Sequence, residues 1–383
     1  MNKDRPHALL DIHDRILNLV KTGEATTRGE LMNLLPASAS LVSLRTRELI
    51  DAGLIFEGIT TPSTGGRPSK KLHYARTQLN LIAADLGTRH ARIALADGNA
   101  SIIAECDLQI DTSLGPQLTL DALADAFTQL IDEHSPQTPL GAICIGLPAP
   151  IDHAHSWIDS GSRLPGWHHY PVVDHIQKRF NTTVLVENDA NLMALGEHLA
   201  HSGLVDSVTV KAGSALGTGL IIGSSIHRGA SGAAGDIAHV RMSAFGDMAC
   251  DCGKSGCLET VVSGRALTQQ WQQISGSEAT YEDLINASLD ANPQAVALMR
   301  LAGSRLGEAL STVVGFFNPQ AVFISGRLST ISPFLAAVRA SLYTGCHPLI
   351  TRTLTIEAAT SGAQAGVLGG LHLCRQSLLE ITD

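Results

Sequence analysis

At 383 residues, the chain is too long for one hydrophobic core and predicts two or three domains. Aromatic residues make up only 4% of it while glycine is abundant, which is typical of closely packed α/β layers. No apolar run approaches the roughly 20 residues of a membrane span, and the N-terminus lacks a signal peptide's apolar core. These features argue against a membrane or secreted protein and favour a cytoplasmic one.

Charge is distributed unevenly along the chain. Residues 1–77 contain 11 lysines and arginines against 8 aspartates and glutamates, whereas the remaining residues contain 16 against 28. Because phosphate binding requires cations, any contact with nucleic acid is expected in this mildly basic head rather than in the acidic body. Ordinary scatter of charges is the alternative explanation.

The head has the pattern of a winged helix-turn-helix domain over residues 1–77. Apolar residues at helical spacing predict a helix over 7–22, and Thr27-Arg-Gly-Glu30 predicts a capping box that opens a second helix. A third helix is predicted over 39–52, capped by Ser38, and turn residues with a strand candidate at 70–74 follow it. Three short helices and a β-hairpin favour DNA binding, although a three-helix cap with no partner would share the pattern.

In a winged helix the third helix lies in the major groove of DNA. Its predicted solvent-side residues, which are candidates for contacts with bases and phosphates, are Ser40, Leu41, Ser43, Leu44, Arg45 and Arg47. The wing carries Gly65-Gly66-Arg67-Pro68, which puts Arg67 on a stiffened loop able to enter a minor groove. Two arginines on the helix predict weak binding by a monomer, so a homodimer or homotetramer is expected on double-stranded operator DNA.

From residue 80 onward, apolar runs joined by short turns predict strands. The predicted strands are 81–85, 91–96, 101–110, 140–146, 183–186, 207–211, 219–222, 321–325 and 353–358. A meander of strands followed by helices occurs twice, which predicts two similar α/β lobes with a cleft between them. The expected boundaries are 78–187 for the first lobe, completed by the C-terminal helix 362–383, and 188–361 for the second.

The most reactive side chains of the sequence fall between residues 229 and 259. Cys250, Cys252 and Cys257 with His239 supply three thiols and an imidazole, a full tetrahedral set with no open position, which indicates a structural zinc ion. A redox pair or core thiols are the alternative. Asp236 and Glu259 lie in the same stretch and could hold the hydroxyls of a small polar ligand, or merely form salt bridges and loop caps.

These motifs together resemble the ROK family (repressors, open reading frames and kinases), in its regulator branch with an N-terminal winged helix. The resemblance rests on Gly65-Gly-Arg-Pro68, Asp85-Leu-Gly87, Leu164-Pro-Gly-Trp167, Glu187-Asn-Asp-Ala-Asn191, Gly232-Ala-Ala-Gly-Asp-Ile-Ala-His239 and the cysteine-rich run ending at Glu259. It implies an α/β fold of two actin/hexokinase-like (ribonuclease H-like) lobes behind the winged helix. It also implies that the four zinc ligands named above hold a structural Zn²⁺.

The resemblance further implies a sugar site lined by Asn188, Asp189, Asp236, His239 and Glu259. Asp236 is one methylene shorter than the family's usual glutamate, and Arg163 stands where asparagine is frequent. The identity of the effector is therefore open, and an acidic or phosphorylated sugar is one possibility.

Kinases that share this pattern use an aspartate to deprotonate the sugar, and Asp189 stands at that position. They also need glycine- and threonine-rich turns, whose backbone amides approach the ATP phosphates closely. The turns at Asp85-Leu-Gly-Thr-Arg89, Gly213-Ser-Ala215 and Ser325-Gly-Arg327 depart from that composition. We therefore predict a sugar-responsive DNA-binding regulator, a repressor, that is not an enzyme. An ATP-dependent sugar kinase and a DNA-binding protein whose lobes no longer bind ligand are the alternatives.

Overall fold

The computed structural model of the chain describes residues 12–51, 54–61, 69–74, 79–158 and 164–380. Its helices are α1 (Ile12–Thr22), α2 (Arg28–Leu34), α3 (Ala39–Asp51), α4 (Pro116–His134), α5 (Val172–Phe180), α6 (Asp189–Leu199), α7 (Glu259–Val262), α8 (Gly264–Ser275), α9 (Tyr281–Leu289), α10 (Pro293–Phe317), α11 (Ser332–Gly345), α12 (Pro348–Thr351) and α13 (Ala365–Glu380). Its strands are β1 (Ile55–Thr61), β2 (Ser69–Tyr74), β3 (Asn80–Leu86), β4 (His90–Asp97), β5 (Ile102–Gln109), β6 (Leu140–Leu147), β7 (Ile151–Asp152), β8 (Trp157–Ile158), β9 (Thr183–Asn188), β10 (Ser207–Ala212), β11 (Leu216–Ile222), β12 (Ser225–Ile226), β13 (Ala321–Ser325) and β14 (Thr355–Ala358). Within the described residues, no helix is both long and apolar enough to span a bilayer.

The head consists of α1, α2 and α3 followed by the antiparallel hairpin β1–β2, as predicted. Val42, Thr46 and Leu49 of α3 are buried, and Ser38 caps this helix by accepting a hydrogen bond from the Leu41 amide at 3.3 Å. At α2, the Thr27 hydroxyl accepts from the Glu30 amide, but the Glu30 carboxylate accepts from the Thr26 amide at 2.6 Å. In a capping box the carboxylate would accept from the amide of the N-cap residue, Thr27. Here it accepts from the amide one residue earlier, so this half of the predicted box is displaced by one residue.

Two five-stranded sheets form the body, and they share one strand order. The first runs β5-β4-β3-β6-β9 and the second runs β12-β11-β10-β13-β14. In each sheet the first three strands along the chain form an antiparallel meander and the last two add in parallel. The repeated strand pattern of the sequence is thus confirmed as two mixed sheets. Among the described elements, the small hairpin β7–β8, the short strand β12 and helix α5 were not predicted.

Helices α6 and α13 lie between the two sheets. α13 packs on β3 and β6 of the first sheet, α6 packs on β10 and β11 of the second, and the two helices pack on each other. They approach so closely that a Cβ at Gly196 would overlap the Ala365 carbonyl, and a Cβ at Gly369 would overlap the Leu192 carbonyl. At these positions the backbones of the two helices are in direct contact, which glycine alone permits because it has no Cβ.

The outer face of each sheet is covered by its own hydrophobic core. Leu123 and Phe127 of α4 and Ile176 of α5 belong to the core on the first sheet, whereas α7 to α11 supply the core on the second. Since parallel strands end at one edge, the carboxyl ends of β3, β6 and β9 lie side by side, where α/β sheets commonly bind ligands. Asp85, near the end of β3, and Asn188, at the end of β9, lie at this edge.

Candidate metal centre and ligand site

The four predicted metal ligands lie together in space. The ligand atoms of His239, Cys250, Cys252 and Cys257 are all within 4.8 Å of one another. His239 Nδ1 lies 3.6 Å from the Cys250 sulfur, and the sulfurs of Cys252 and Cys257 are also 3.6 Å apart. Tetrahedral Zn–S bonds of about 2.3 Å would separate two sulfurs by roughly 3.8 Å, so the spacing of these atoms suits one such ion. This cluster could hold a metal.

Tight turns stabilised by backbone hydrogen bonds bring the cysteines together. The Cys250 amide donates to the Lys254 carbonyl at 2.8 Å, and the Gly253 amide returns to the Cys250 carbonyl at 3.0 Å. Gly253 and Gly256 have φ of 83° and 70°, a left-handed conformation that suits glycine. Isolated bridges join Arg241 to Cys257 and Ala249 to Ser255, so the loop closes on the segment that begins at His239.

Glu259 and the chain neighbours of Asp189 and Asp236 lie against the first residues of β11. The Glu259 side chain is 1% exposed, and its Oε2 accepts a hydrogen bond from the Leu216 amide at 2.9 Å. A Cβ on Gly217 would lie 3.0 Å from the Cβ of Ala190, which follows Asp189. Gly235, which precedes the exposed Asp236, packs against the Thr218 carbonyl. Three segments far apart in sequence therefore meet at one strand end.

Asn188 and Asp189 join the first sheet to α6. The Asn188 side chain caps α6 by accepting from the Asn191 amide at 3.1 Å, and its Nδ2 donates to the Ala149 carbonyl after β6. Asp189 is buried at the first helical position, where its Oδ1 accepts from the Ala190 amide. A carboxylate at the start of a helix is stabilised by the helix dipole.

Lys211, which the sequence did not single out, provides the charge partner of Asp189. Its Nζ lies 2.6 Å from Asp189 Oδ2, and its side chain is 30% exposed. Burial acts to lower the pKa of Lys211, but the negative charges of Asp189 and Asp85 outweigh it and raise that pKa above its usual value. Burial raises the pKa of Asp85, whose Oδ1 has no hydrogen-bond partner among the described residues. An ammonium group from the second sheet thus lies near one carboxylate at the start of α6 and one on strand β3 of the first sheet.

A second unpredicted group of charges surrounds Glu187, whose side chain is 1% exposed. Its oxygens accept from Arg228 Nε at 2.7 Å and from Asn191 Nδ2 at 2.9 Å, and His153 Nε2 lies 3.4 Å away. Burial by itself raises the pKa of Glu187, but the hydrogen bond from His153 and the charge of Arg228 bring it down to about 2. This carboxylate links the hairpin β7–β8, α6 and the segment after β12.

Among the predicted DNA contacts in α3, Ser40 and Arg47 are exposed while Ser43 and Arg45 are half-buried. Arg45 Nη1 donates to Glu48 Oε2 at 2.7 Å, and the same oxygen lies 2.6 Å from His13 Nε2. Arg67 of the wing and Arg163 of the sugar site lie outside the described residues. The head touches the body where the Tyr74 hydroxyl donates to the Leu378 carbonyl of α13 at 2.9 Å.

Comparison with known proteins identifies one family and several transcriptional regulators that are similar to this chain. The ROK family model matches residues 81–377. The xylose repressor of Bacillus spizizenii is 25% identical over 374 residues, which cover 96% of this chain and 95% of that protein. The DNA-binding transcriptional dual regulator NagC of Escherichia coli is 29% identical over 320 residues, covering 78% of this chain and 75% of that protein.

Solved structures with this fold include regulators and kinases. A ROK family transcriptional regulator, described as a homologue of the E. coli MLC protein, has a TM-score of 0.77 at 24% identity and covers 96% of each chain. A ROK family glucokinase from Streptomyces griseus, solved with glucose and AMPPNP, has a TM-score of 0.66 at 25% identity. It is matched over 99% of its own length but over only 78% of this chain.

Proposed function

This chain belongs to the ROK family, and from that membership we propose that it is a sugar-responsive transcriptional regulator that represses genes of carbohydrate metabolism in the cytoplasm. The observation that carries the proposal is the fraction of this chain that kinases and regulators each match. The glucokinase is matched almost whole yet leaves about a fifth of this chain without a counterpart, whereas the MLC homologue and a xylose repressor extend over nearly all of it. A ROK body with an added winged-helix head favours a regulator.

For the head, we propose that residues 1–77 bind double-stranded operator DNA. Ser40, Ser43, Arg45 and Arg47 of α3 would face the major groove, and Arg67 of the wing would face the minor groove. Because one head offers few cations, two heads of a homodimer or homotetramer would bind paired half-sites. The engagement of Arg45 by Glu48 argues that Arg47 contributes the larger share of phosphate binding from α3.

For the body, we propose two lobes, residues 78–187 completed by 362–383 and residues 188–361, that close on a sugar or sugar derivative. Asn188, Asp189, Asp236, His239 and Glu259 would bind its hydroxyls, with Arg163 nearby. A structural zinc on His239 Nδ1 and the three cysteines would fix the imidazole, so that Nε2 is free to meet a hydroxyl. Closure would change how α6 and α13 pack, and α13 bonds to Tyr74 of the wing hairpin.

A mobility-shift assay with the DNA upstream of its own operon, with and without a panel of sugars, tests this function. We expect a shifted complex whose affinity changes at least about fivefold with one sugar, because allosteric coupling typically amounts to about 1–3 kcal/mol. Failure to shift any duplex would contradict the proposal. Binding to DNA that no sugar alters would instead favour a protein whose lobes have lost their ligand.

The alternative function is an ATP-dependent sugar kinase with Asp189 as its base. The similarity of the body to a ROK family glucokinase supports this alternative. Two features argue against it. The phosphate turns carry Arg89 where threonine is usual and Ala215 and Arg327 where glycine is usual, and the ammonium of Lys211 already engages Asp189 Oδ2 at 2.6 Å. A coupled assay that detects sugar-dependent ADP release, abolished in Asp189→Ala, would establish the kinase instead.

A further inference from the structure

The outward face of α3 is unusual in its chemistry for a helix that would contact DNA. Leu44 comes two residues after the buried Val42 and two before the buried Thr46, so at 3.6 residues per turn it points away from the head's core. Its side chain is 52% exposed, and Leu41, one turn earlier on that face, is 37% exposed. Ser40 and Arg47 flank them and are exposed as well.

Charged groups on this helix are largely engaged within the head. Arg45 donates to Glu48, whose carboxylate also contacts His13. Across α3 (Ala39–Asp51), all of which is described, Arg47 is the one cation whose residue is exposed. The centre of the face therefore offers aliphatic surface and hydroxyls rather than the paired arginines that commonly bind guanine O6 and N7.

The four bases differ in the free energy change that results when an aliphatic side chain covers their major-groove edges. Guanine, adenine and cytosine present hydrogen-bonding groups there, and covering them with leucine would leave a polar group without a partner. Thymine alone presents a methyl group, which gains free energy when a hydrocarbon covers it. A leucine at the centre of a recognition helix thus selects thymine both by attraction and by exclusion.

We propose that Leu44, supported by Leu41, reads thymine methyl groups in the operator half-site, and that Arg47 anchors the helix beside them. This inference rests on the proposed DNA-binding function and names the base chemistry that the helix recognises. The basic balance of residues 1–77 over an acidic body favours a duplex as the occupant of this face rather than a second copy of the chain.

The experiment compares thymine with uracil, which pairs identically but lacks the methyl group. The full-length chain first selects its preferred duplex from a random library, and each thymine of that duplex is then replaced singly by deoxyuridine. We expect affinity to fall about fourfold, or about 0.8 kcal/mol, at each contacted thymine, with no change at the other positions. Leu44→Ala should bind the thymine and uracil duplexes with nearly equal affinity.

The matched control is Leu34→Ala on α2. Leu34 is 51% exposed, so truncation there removes the same side chain at nearly the same exposure, and the thymine preference should persist. Since Leu44 and Leu34 are exposed, both variants should keep the wild-type melting temperature. Each protein variant is also measured on each uracil-substituted duplex. If the leucine contacts the methyl group, the affinity losses from the protein change and from the base change are non-additive, whereas an effect of DNA shape leaves them additive.

Three outcomes would overturn the inference. Equal affinity of the wild-type chain for thymine and uracil duplexes would exclude methyl recognition while leaving DNA binding intact. A thymine preference that Leu44→Ala retains would assign the effect to DNA shape. A change of oligomeric state in Leu44→Ala, without a change in base preference, would assign the face to self-association. Failure to select any duplex would instead remove the proposed function itself.

Discussion

The two sheets of the body have the same strand order but are extended in different ways after their antiparallel meanders. After β5 the chain passes through α4 and returns as β6, so the connection is a helix packed by hydrophobic residues such as Leu123 and Phe127. After β12 the chain first runs through residues 227–258, which contain only short 3₁₀ turns and isolated bridges, and then through α7 to α10 before it returns as β13. Burial of apolar surface holds both sets of helices, whereas four clustered ligands are available to hold the extra loop of the second connection. Within the described residues, the repeated topology thus carries a potential metal site on the second sheet's connection and not on the first's.

Removing one metal ligand should break this comparison most strongly. Cys257→Ser leaves three ligands, so zinc bound per chain should fall from one to near zero. Coupling of metal binding to folding is worth on the order of 10 kcal/mol in structural zinc sites, and the loop at 239–257 should become sensitive to proteolysis. Elemental analysis and limited proteolysis with mass spectrometry measure both effects.

Cys346→Ser is the matched control for this variant. Cys346 is also buried, 8% exposed, but it lies at the end of α11 outside the cluster. Its replacement should leave zinc content unchanged. Wild-type protein without zinc, or equal zinc in both variants, would contradict a metal centre at these four residues.

The Glu187 cluster joins the two sheets by charge, and its removal should have the next largest effect. The folded-state pKa of about 2 lies below the ordinary 4.5, so this carboxylate stabilises the fold fully above about pH 4.5. That contribution is lost as pH falls towards 2. Glu187→Gln should therefore lower the free energy of unfolding by about 3 kcal/mol at pH 7 and flatten its dependence on pH between 4.5 and 2.

Urea unfolding at several pH values measures this change, and Asp125→Asn provides the control. Asp125 pairs with Arg179 at 2.6 Å, a distance similar to the Arg228 contact of Glu187, but its side chain is 74% exposed. Because solvent screens exposed pairs, the control should leave stability unchanged. Equal losses in the two variants would show that burial does not distinguish these ion pairs.

The helix pair between the sheets should tolerate no added methyl group. In Gly369→Ala the new Cβ would meet the Leu192 carbonyl, so α6 and α13 must separate at a cost of roughly 1–3 kcal/mol. Gly315→Ala on α10 is the control because nothing lies within 4 Å of its Cβ position. That variant should be stabilised by about 0.5–1 kcal/mol through helix propensity. Thermal unfolding compares them, and a neutral Gly369→Ala would be inconsistent with the close crossing.

The smallest effect is expected where Lys211 of the second sheet meets Asp189 at the start of α6. Lys211→Met removes the positive charge while keeping most of the side-chain volume. Since Lys211 is 30% exposed, the loss should be about 1 kcal/mol rather than that of a fully buried pair. Urea unfolding at pH 7 measures it. Unchanged stability together with unchanged sugar affinity would show that this ion pair supports neither the fold nor the site.

Much of the site could be predicted where its residues are neighbours in the sequence. Cys250, Cys252 and Cys257 with His239 fall within 19 residues, and zinc coordination restricts both residue type and spacing, so the cluster was predictable. The partners of Asp189 and Glu187 were not. Lys211 and Arg228 lie 22 and 41 residues further along the chain, and nothing in a strand's pattern says which side chain will face it.

The head shows the same limit on a smaller scale. Helical spacing predicted the buried face of α3, because an amphipathic helix turns its apolar side inward. The sequence also placed Arg45 among the solvent-side residues, but it could not show that Arg45 and His13 would share the carboxylate of Glu48. That engagement shifts the expected DNA contact towards Arg47 and the exposed leucines.

The sequence by itself determined most of the strands and helices of this protein and the residues of its potential metal cluster, since periodicity and spacing are local properties of the chain. Only the tertiary structure decided that α6 and α13 cross on glycine between the sheets, that Lys211 meets the carboxylate at the start of α6, and that Arg228 meets a carboxylate of the first sheet. Those contacts depend on how two separately formed layers pack. The free energies that decide packing are sums over residues far apart in sequence, which no local pattern contains.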